Sequence, residues 1–213
     1  WCVAKGSKRL FLTPNGYVSS DLSALAGFST QAYILENGIH PLGYIQPGRT
    51  HLVDVSVPLP LKSEKKESGY QMLAEIQEQG TLYPCEWPEI LNNTDIIATG
   101  SSLHAGMFGS YALEASGIRT RCIHASQARH RCLQDNILAI SQSGETKDIL
   151  KAIQGVDYLQ CITNTPYSTL YDQSSEPVLL GVGVESAVAA TKTFTMSCMQ
   201  LCRAAGIKTP ILE

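Results

Sequence analysis

Short apolar runs and helical patterns alternate five times in the last two thirds of the chain, and this constrains the fold more than any other feature. Strand-like runs cover Thr94 to Thr99, Arg119 to His124, Asn136 to Ile140, Asp157 to Thr163 and Pro177 to Leu180. Helical patterns follow them near Leu103 to Ser116, around Gln127, from Glu145 to Ile153, near Tyr167 to Gln173, and from about Ala187 to Ala205. A further helical stretch, Tyr70 to Gln79, precedes the first run. The strands are apolar on both faces rather than alternating, so both faces must be covered. That predicts an α/β domain with a doubly wound parallel five-stranded sheet between two helical layers. In open sheets of this kind ligands sit beyond the carboxyl ends of the strands.

The first 60 residues read differently. Arg9 to Leu12, Tyr33 to Leu35 and Leu52 to Val55 are short strand-like runs. Asn15-Gly16 and Asn37-Gly38 are hairpin-type turn dipeptides between them. These predict a small antiparallel β piece with a short helical stretch near Ser20 to Ala26. Pro58-Leu59-Pro60 and the mixed-sign run Lys62 to Glu67 then predict a linker. The expected organisation is residues 1–57, a linker at 58–68, and the α/β domain at 69–213.

Composition narrows the partners. A net charge of −3 with only 16% charged residues argues against an extended nucleic-acid footprint. No apolar run approaches the roughly 20 residues that span a bilayer, and no signal peptide is visible. Seven cysteines, odd in number and without a Cys-x-x-Cys motif, predict free and mostly buried thiols in a reducing compartment. The chain is therefore expected to be cytoplasmic. It opens at Trp1 rather than Met, which suggests a fragment or a processed product.

Two strand ends carry hydroxyls. Thr99-Gly100-Ser101-Ser102 follows the first run, and Ser141-Gln142-Ser143-Gly144-Glu145-Thr146 follows the third. Each opens a helix, where unpaired main-chain N–H groups and a partial positive charge favour anions. Hydroxyls add donors, and glycine admits close approach of the backbone. Neither loop contains lysine, so this is not the Gly-Lys-Ser/Thr nucleotide loop. Neutral donors around a single small phosphate, such as one on a sugar, fit better. The simpler alternative is helix capping, with Ser143 as the cap and Thr146 three positions on. A third feature is the segment Gly183 to Lys192, whose small residues are expected to open the last helix and let a ligand or another backbone come close. Tight helix packing explains Ala189 and Ala190 equally well. Lys192 is either a surface charge or the partner of a carboxylate. Cys122, His124, His130 and Cys132 match no common zinc spacing, and no metal or cofactor is expected. His104, just inside the first helix of the sheet domain, is left open.

Together these segments resemble the sugar isomerase (SIS) domain family. The resemblance is carried by Gly-Ser-Ser-x-His-Ala-Gly at 100–106, Ser-Gln-Ser-Gly-Glu-Thr at 141–146 and Glu-Ser-Ala-Val-Ala-Ala-Thr-Lys-Thr-Phe-Thr at 185–195. Within that family the segments look most like the first SIS domain of the isomerising glutamine–fructose-6-phosphate aminotransferases. Residues 70–79 look like the helix leading into that domain. Val18 to Asp21 and Tyr33 to Gly38 look like the end of its glutamine amidotransferase domain. The resemblance implies a flavodoxin-like sheet holding a phosphosugar, in a homo-oligomer built through SIS domains. Carried over residue by residue, it implies sugar-phosphate contacts from Ser101, Ser102, Ser141, Gln142, Ser143, Thr146, Val188 and Ala189. Ala190 stands where the family usually has serine, Ser101 where it has threonine, and Gln127 where it tends to have glutamate. Cys2 is followed by Val3-Ala4 rather than Gly-Ile, so it does not match the family's glutaminase nucleophile. The expected share of this chain is to bind a hexose phosphate, with no catalytic residue of its own. A non-catalytic phosphosugar sensor and a homodimeric SIS-type isomerase are the alternatives.

Overall fold

The structure is a computed structural model. It describes residues 2–4, 9–20, 22–25, 28–35, 38–40, 50–53, 70–85 and 89–208. The chain divides into two compact units, Trp1–Glu67 and Ser68–Glu213.

The first unit is antiparallel. In chain order it contains β1 (Cys2–Ala4), β2 (Leu10–Leu12), β3 (Val18–Ser19), a 3-10 turn at Leu22–Leu25, β4 (Ala32–Leu35), β5 (Gly38–His40) and β6 (Thr50–Val53). Four strands form a sheet in the order β3-β2-β4-β6, and β1 pairs with β5 as a separate ribbon. The expected turn at Asn15-Gly16 is present. The Gly16 N–H reaches the Thr13 carbonyl at 2.9 Å, and Gly16 adopts a left-handed φ of 89° that glycine accepts without strain. The runs expected on either side of Asn37-Gly38 do pair antiparallel, Tyr33 with Leu52, as β4 and β6; Asn37 lies outside the described residues, and Gly38 opens β5, which pairs with β1. β5 thus joins a different sheet from β4 and β6; pairing is decided by the partners available to each strand, not by sequence proximity alone. Phe11, Leu12, Leu22, Leu25, Ala32, Ile34 and Leu35 are buried in this unit. Asp54, Val55 and the expected linker at 58–68 lie outside the described residues.

The second unit carries α1 (Gln71–Glu78), β7 (Thr94–Ala98), α2 (Gly100–Ala115), β8 (Thr120–His124), α3 (Ala125–Ala128) and β9 (Asn136–Ile140). It continues with α4 (Lys147–Ala152), β10 (Tyr158–Thr163), α5 (Thr169–Gln173), β11 (Glu176–Leu179) and α6 (Lys192–Ala204). All five strands are parallel, in the order β11-β10-β9-β7-β8. Counted within the unit this is 5-4-3-1-2, the flavodoxin-like order. The chain moves one way from β7 to β8 and the other way from β9 to β11, so the switch point lies between β7 and β9.

Successive residues of each strand face opposite sides, and each side has its own core. Ile96, Ala98, Leu138, Ile140 and Ile162 pack with Leu113, Met196 and Leu201 of α2 and α6. Ile97, Ile137, Ala139, Leu159 and Cys161 pack with Ala125, Ala128, Ile149 and Leu170 of α3, α4 and α5. Two glycines set the depth of α2. A methyl at Gly106 would come within 2.9 Å of Ile96 Cγ2, and one at Gly109 would overlap the Leu201 side chain. At the amino ends of the strands the fully buried Asp95 carboxylate accepts two 2.7 Å hydrogen bonds from Arg121 and one from the Gln134 N–H. This leaves a buried charge fully partnered, far from the strand ends that matter for a ligand.

Two helix starts differ from the sequence expectation. α4 begins at Lys147 rather than Glu145, and α6 at Lys192 rather than near Ala187. In both places side chains offer the main chain a competing set of hydrogen bonds, which holds it out of the helix.

Candidate functional site

The turn after β9 is built from its own side chains. Ser141 is buried, and its Oγ shares a 2.8 Å hydrogen bond with Thr146 Oγ1 and accepts one from the Gly144 N–H at 3.1 Å. Ser143 Oγ accepts from the Glu145 N–H at 3.2 Å. Gly144 has a left-handed φ of 64°, and a side chain there would overlap Ser168 Oγ and Cβ. Both its conformation and its surroundings therefore require glycine. The Gly144 carbonyl accepts from the Leu170 N–H, and the Glu145 carboxylate accepts from the Thr169 N–H at 2.8 Å and Thr169 Oγ1 at 3.0 Å. The loop is thus fastened to the start of α5. Ser143 does not cap α4: the cap position is Thr146, without a side-chain capping bond. The first N–H groups of α4 lack intrahelical partners by position.

The turn after β7 stands next to it, because Ala98 and Ile140 are register partners at the ends of adjacent strands. α2 starts directly at Gly100, whose φ of 56° makes the sharp strand-to-helix turn, so Ser101 and Ser102 occupy the first turn of the helix. Ser101 is exposed and Ser102 half-buried. Their N–H groups, at the start of a 16-residue helix, have no intrahelical acceptor.

The segment after β11 forms an arch rather than the first turn of α6. Val188, Ala189 and Ala190 are exposed at its crown. Its feet are held by two carboxylates. Glu75 of α1, only 6% exposed, accepts from the Ser186 N–H at 2.6 Å, the Ala187 N–H at 3.0 Å and Thr191 Oγ1 at 2.7 Å. Glu185 accepts from the Thr191 N–H at 2.8 Å, the Thr193 N–H at 3.1 Å and the Thr193 hydroxyl, and it shares the single Thr191 hydroxyl proton with Glu75. Burial alone would push both carboxyls up in pKa. The hydrogen bonds outweigh it, led by Thr191 for Glu75 and by Thr193 for Glu185, and both stay below their ordinary value. Lys192 is buried and donates to Glu78 at 2.8 Å, so it is a carboxylate partner and not a surface charge.

The structure thus brings Ser101, Ser102, Ser141, Gln142, Ser143 and Thr146 to two adjacent strand ends at the switch point. Among the described residues no hydrogen bond joins Val188 or Ala189 to these turns. The link between turns and arch is Asn164, at the end of β10. Its N–H donates to the Gln142 carbonyl at 3.0 Å, its Nδ2 to the Gly183 carbonyl at 2.7 Å, and its Oδ1 accepts from the Val182 N–H. Asn164, Glu145, Glu75 and Glu185 are absent from the sequence-based site. A polar residue at a strand end was the available signal for Asn164. Glu75 lies 111 residues before its first partner, and no local pattern reveals it. Cys122 and His124 do not converge. The Cys122 thiol sits against the Leu103 carbonyl and burial pushes it up to about 11, while His124 Nδ1 pairs with Ser126 Oγ at 2.8 Å. Among the described residues no three His, Cys, Asp or Glu side chains form a metal-type group, and no helix is long and apolar enough to cross a membrane. His104 is exposed on α2. The six cysteines whose side chains are described are free, but only Cys161 among them is fully buried, fewer than expected.

A parallel 2-1-3-4-5 sheet with hydroxyl-bearing turns on both strands of its switch point defines a doubly wound α/β domain, the class of fold in which ligands sit beyond the carboxyl ends of the strands. The SIS domain family model matches residues 92–205, more than half of the chain, and the chain belongs to the SIS domain family. It is 30% identical over 235 aligned residues to the isomerising glutamine–fructose-6-phosphate aminotransferase of Legionella pneumophila (strain Lens), covering 91% of this chain and 39% of that one. It is 38% identical over 127 residues to the enzyme of the same name from Helicobacter pylori (strain J99), covering 54% of this chain and 21% of that one. The chain thus spans well under half the length of these curated relatives. Among solved structures, the C-terminal domain of glucosamine-fructose-6-phosphate aminotransferase from Francisella tularensis superposes with a TM-score of 0.59 at 29% identity, covering 66% of this chain and 48% of that one. Glucosamine-6-phosphate deaminase from Thermotoga maritima shares the fold, with a TM-score of 0.54 at 23% identity.

Proposed function

We propose that the second unit binds a hexose phosphate at the β7/β9 switch point, as the substrate-holding part of an isomerising glutamine–fructose-6-phosphate aminotransferase. The parent reaction would transfer ammonia from glutamine to fructose 6-phosphate and isomerise the product to glucosamine 6-phosphate. Residues 141–146 and the first turn of α2 take the phosphate. The Val188-Ala189 crown takes the sugar. The proton transfers are assigned to groups outside these 213 residues, and this stretch contributes binding and orientation. Residues 1–57 are assigned to the end of a type 2 glutamine amidotransferase domain, and residues 58–68 to the linker. The protein works in the cytoplasm as a homo-oligomer. Met107, Phe108 and Tyr111, exposed on α2, support association through this domain.

One observation carries this function: two turns rich in neutral donors, with no lysine or arginine, flank the point where the sheet reverses its winding. The replacement of the family's serine by Ala190 favours a second function, a sensor that binds phosphosugar without chemistry. Thermal melting with millimolar fructose 6-phosphate and glucose 6-phosphate tests the binding site. A rise in Tm that Ser143→Ala reduces is expected; no rise with either sugar overturns the assignment. Product formation by the full-length parent separates enzyme from sensor.

A further inference from the structure

We infer that Glu75 is a positioning residue for the sugar side of the site, acting on the arch after β11 and not on the phosphate turns. This rests on the proposed phosphosugar function. The Glu75 carboxylate reaches from α1 to both feet of the arch at once. It takes the Ser186 and Ala187 N–H groups on one side and the Thr191 hydroxyl on the other. Between these feet, Val188, Ala189 and Ala190 are exposed and make no hydrogen bond among the described residues. Three exposed small residues would not hold one conformation unaided, since a short apolar crown has little to bury and several residues of backbone freedom to lose.

The helical period makes the competing state concrete. Residues from about 187 onward carry an uninterrupted helical pattern into α6, yet the helix starts only at Lys192. Glu185 takes the N–H groups of Thr191 and Thr193, which a helix begun near 187 would need for its own carbonyls, while Glu75 bridges the Ser186 and Ala187 N–H groups to the Thr191 hydroxyl and so fixes the two feet of the arch to each other. Glu185 is local to the arch. Glu75 is the contribution from outside, and it ties the arch to a helix that Lys192–Glu78 and Thr195–Gln79 bonds also dock. None of its bonds goes to Ser141–Thr146 or to Ser101 and Ser102. Removal of Glu75 should therefore loosen the grip on the sugar and leave the grip on phosphate intact.

The test uses the whole chain, with Glu75→Ala and Glu75→Gln compared for fructose 6-phosphate and for inorganic phosphate. Expected for Glu75→Ala is about a tenfold loss of fructose 6-phosphate affinity with phosphate affinity unchanged. Glu75→Gln, which keeps one acceptor, should fall between and serves if the alanine variant does not fold. Hydrogen exchange without ligand supplies a second readout: amides of 186–191 should exchange faster in the variants, and those of 141–146 should not. Equal losses for both ligands, or unchanged exchange in the arch, overturn the inference. Failure of the wild type to bind either ligand, or of Ser143→Ala to weaken phosphate, overturns the phosphosugar function instead. The exchange readout still decides whether Glu75 holds the arch.

Discussion

The turn after β9 and the arch after β11 lie at the same edge of the same sheet and are held in opposite ways. The turn's hydroxyls bond one another and their own main chain within five residues, Gly144 lets it fold against Ser168, and Glu145 ties it to Thr169. The arch has no such hydroxyl core and is held by two carboxylates, Glu75 from α1 and Glu185 at its own foot. A core of short-range neutral bonds is set as soon as its flanking strand and helices form. One built on carboxylates depends on packing elsewhere and on protonation. The difference matches the chemistry proposed for each, a fixed cradle for a phosphate and an adjustable edge for a sugar.

The largest effect should come from the turn. Gly144→Ala combines a left-handed backbone with overlap on Ser168, and should destabilise the second unit by about 3 kcal/mol or more in denaturant unfolding. An effect below about 1 kcal/mol would mean that the turn is looser than its contacts indicate. Glu185→Ala leaves two N–H groups and the Thr193 hydroxyl of the arch without their acceptor, the Thr191 hydroxyl keeping Glu75, and should cost about 2 kcal/mol while leaving phosphate binding unchanged. Parallel loss of phosphate binding would show that turn and arch are one element.

Acid should separate them without mutation. Glu75 and Glu185 have folded-state pKa values below their ordinary value of 4.5. Their contribution is therefore present above that value and lost as pH falls through the lower folded values. Ser141, Ser143 and Thr146 do not titrate in this range. Fructose 6-phosphate affinity, corrected for protonation of the ligand itself by an inorganic phosphate control, should fall below pH 4.5 in the wild type and less so in Glu75→Gln. Identical profiles would remove the carboxylates from the account. The smallest effect should come from Ala190→Ser, which restores a hydroxyl at the exposed crown. A gain of about twofold to fivefold for the sugar, with none for phosphate, is expected from one solvent-exposed hydrogen bond.

The sequence carried the turn far better than the arch. Strand β9 was placed residue for residue at Asn136–Ile140, and the hydroxyl pattern at its end was visible because the bonds it makes are local. Helical period alone reads the arch as helix, since it cannot register Glu185 turning back onto the Thr191 and Thr193 N–H groups or a carboxylate arriving from α1. The same blindness to partners hides β5, which pairs with β1 while β4 and β6 on either side of it pair with each other. Ser143 as a helix cap failed for a nearer reason: the main chain at Gly144 turns through a left-handed conformation before α4 begins.

The most direct measurement is a hydrogen-exchange footprint of the whole chain with and without saturating fructose 6-phosphate. Slower exchange confined to residues 100–103, 142–147 and 186–191 is the expected result: two turns at the switch point and the arch beside them, protected together. Protection elsewhere, or no protection at a concentration that raises Tm, would contradict the assignment of the phosphosugar to the β7/β9 switch point.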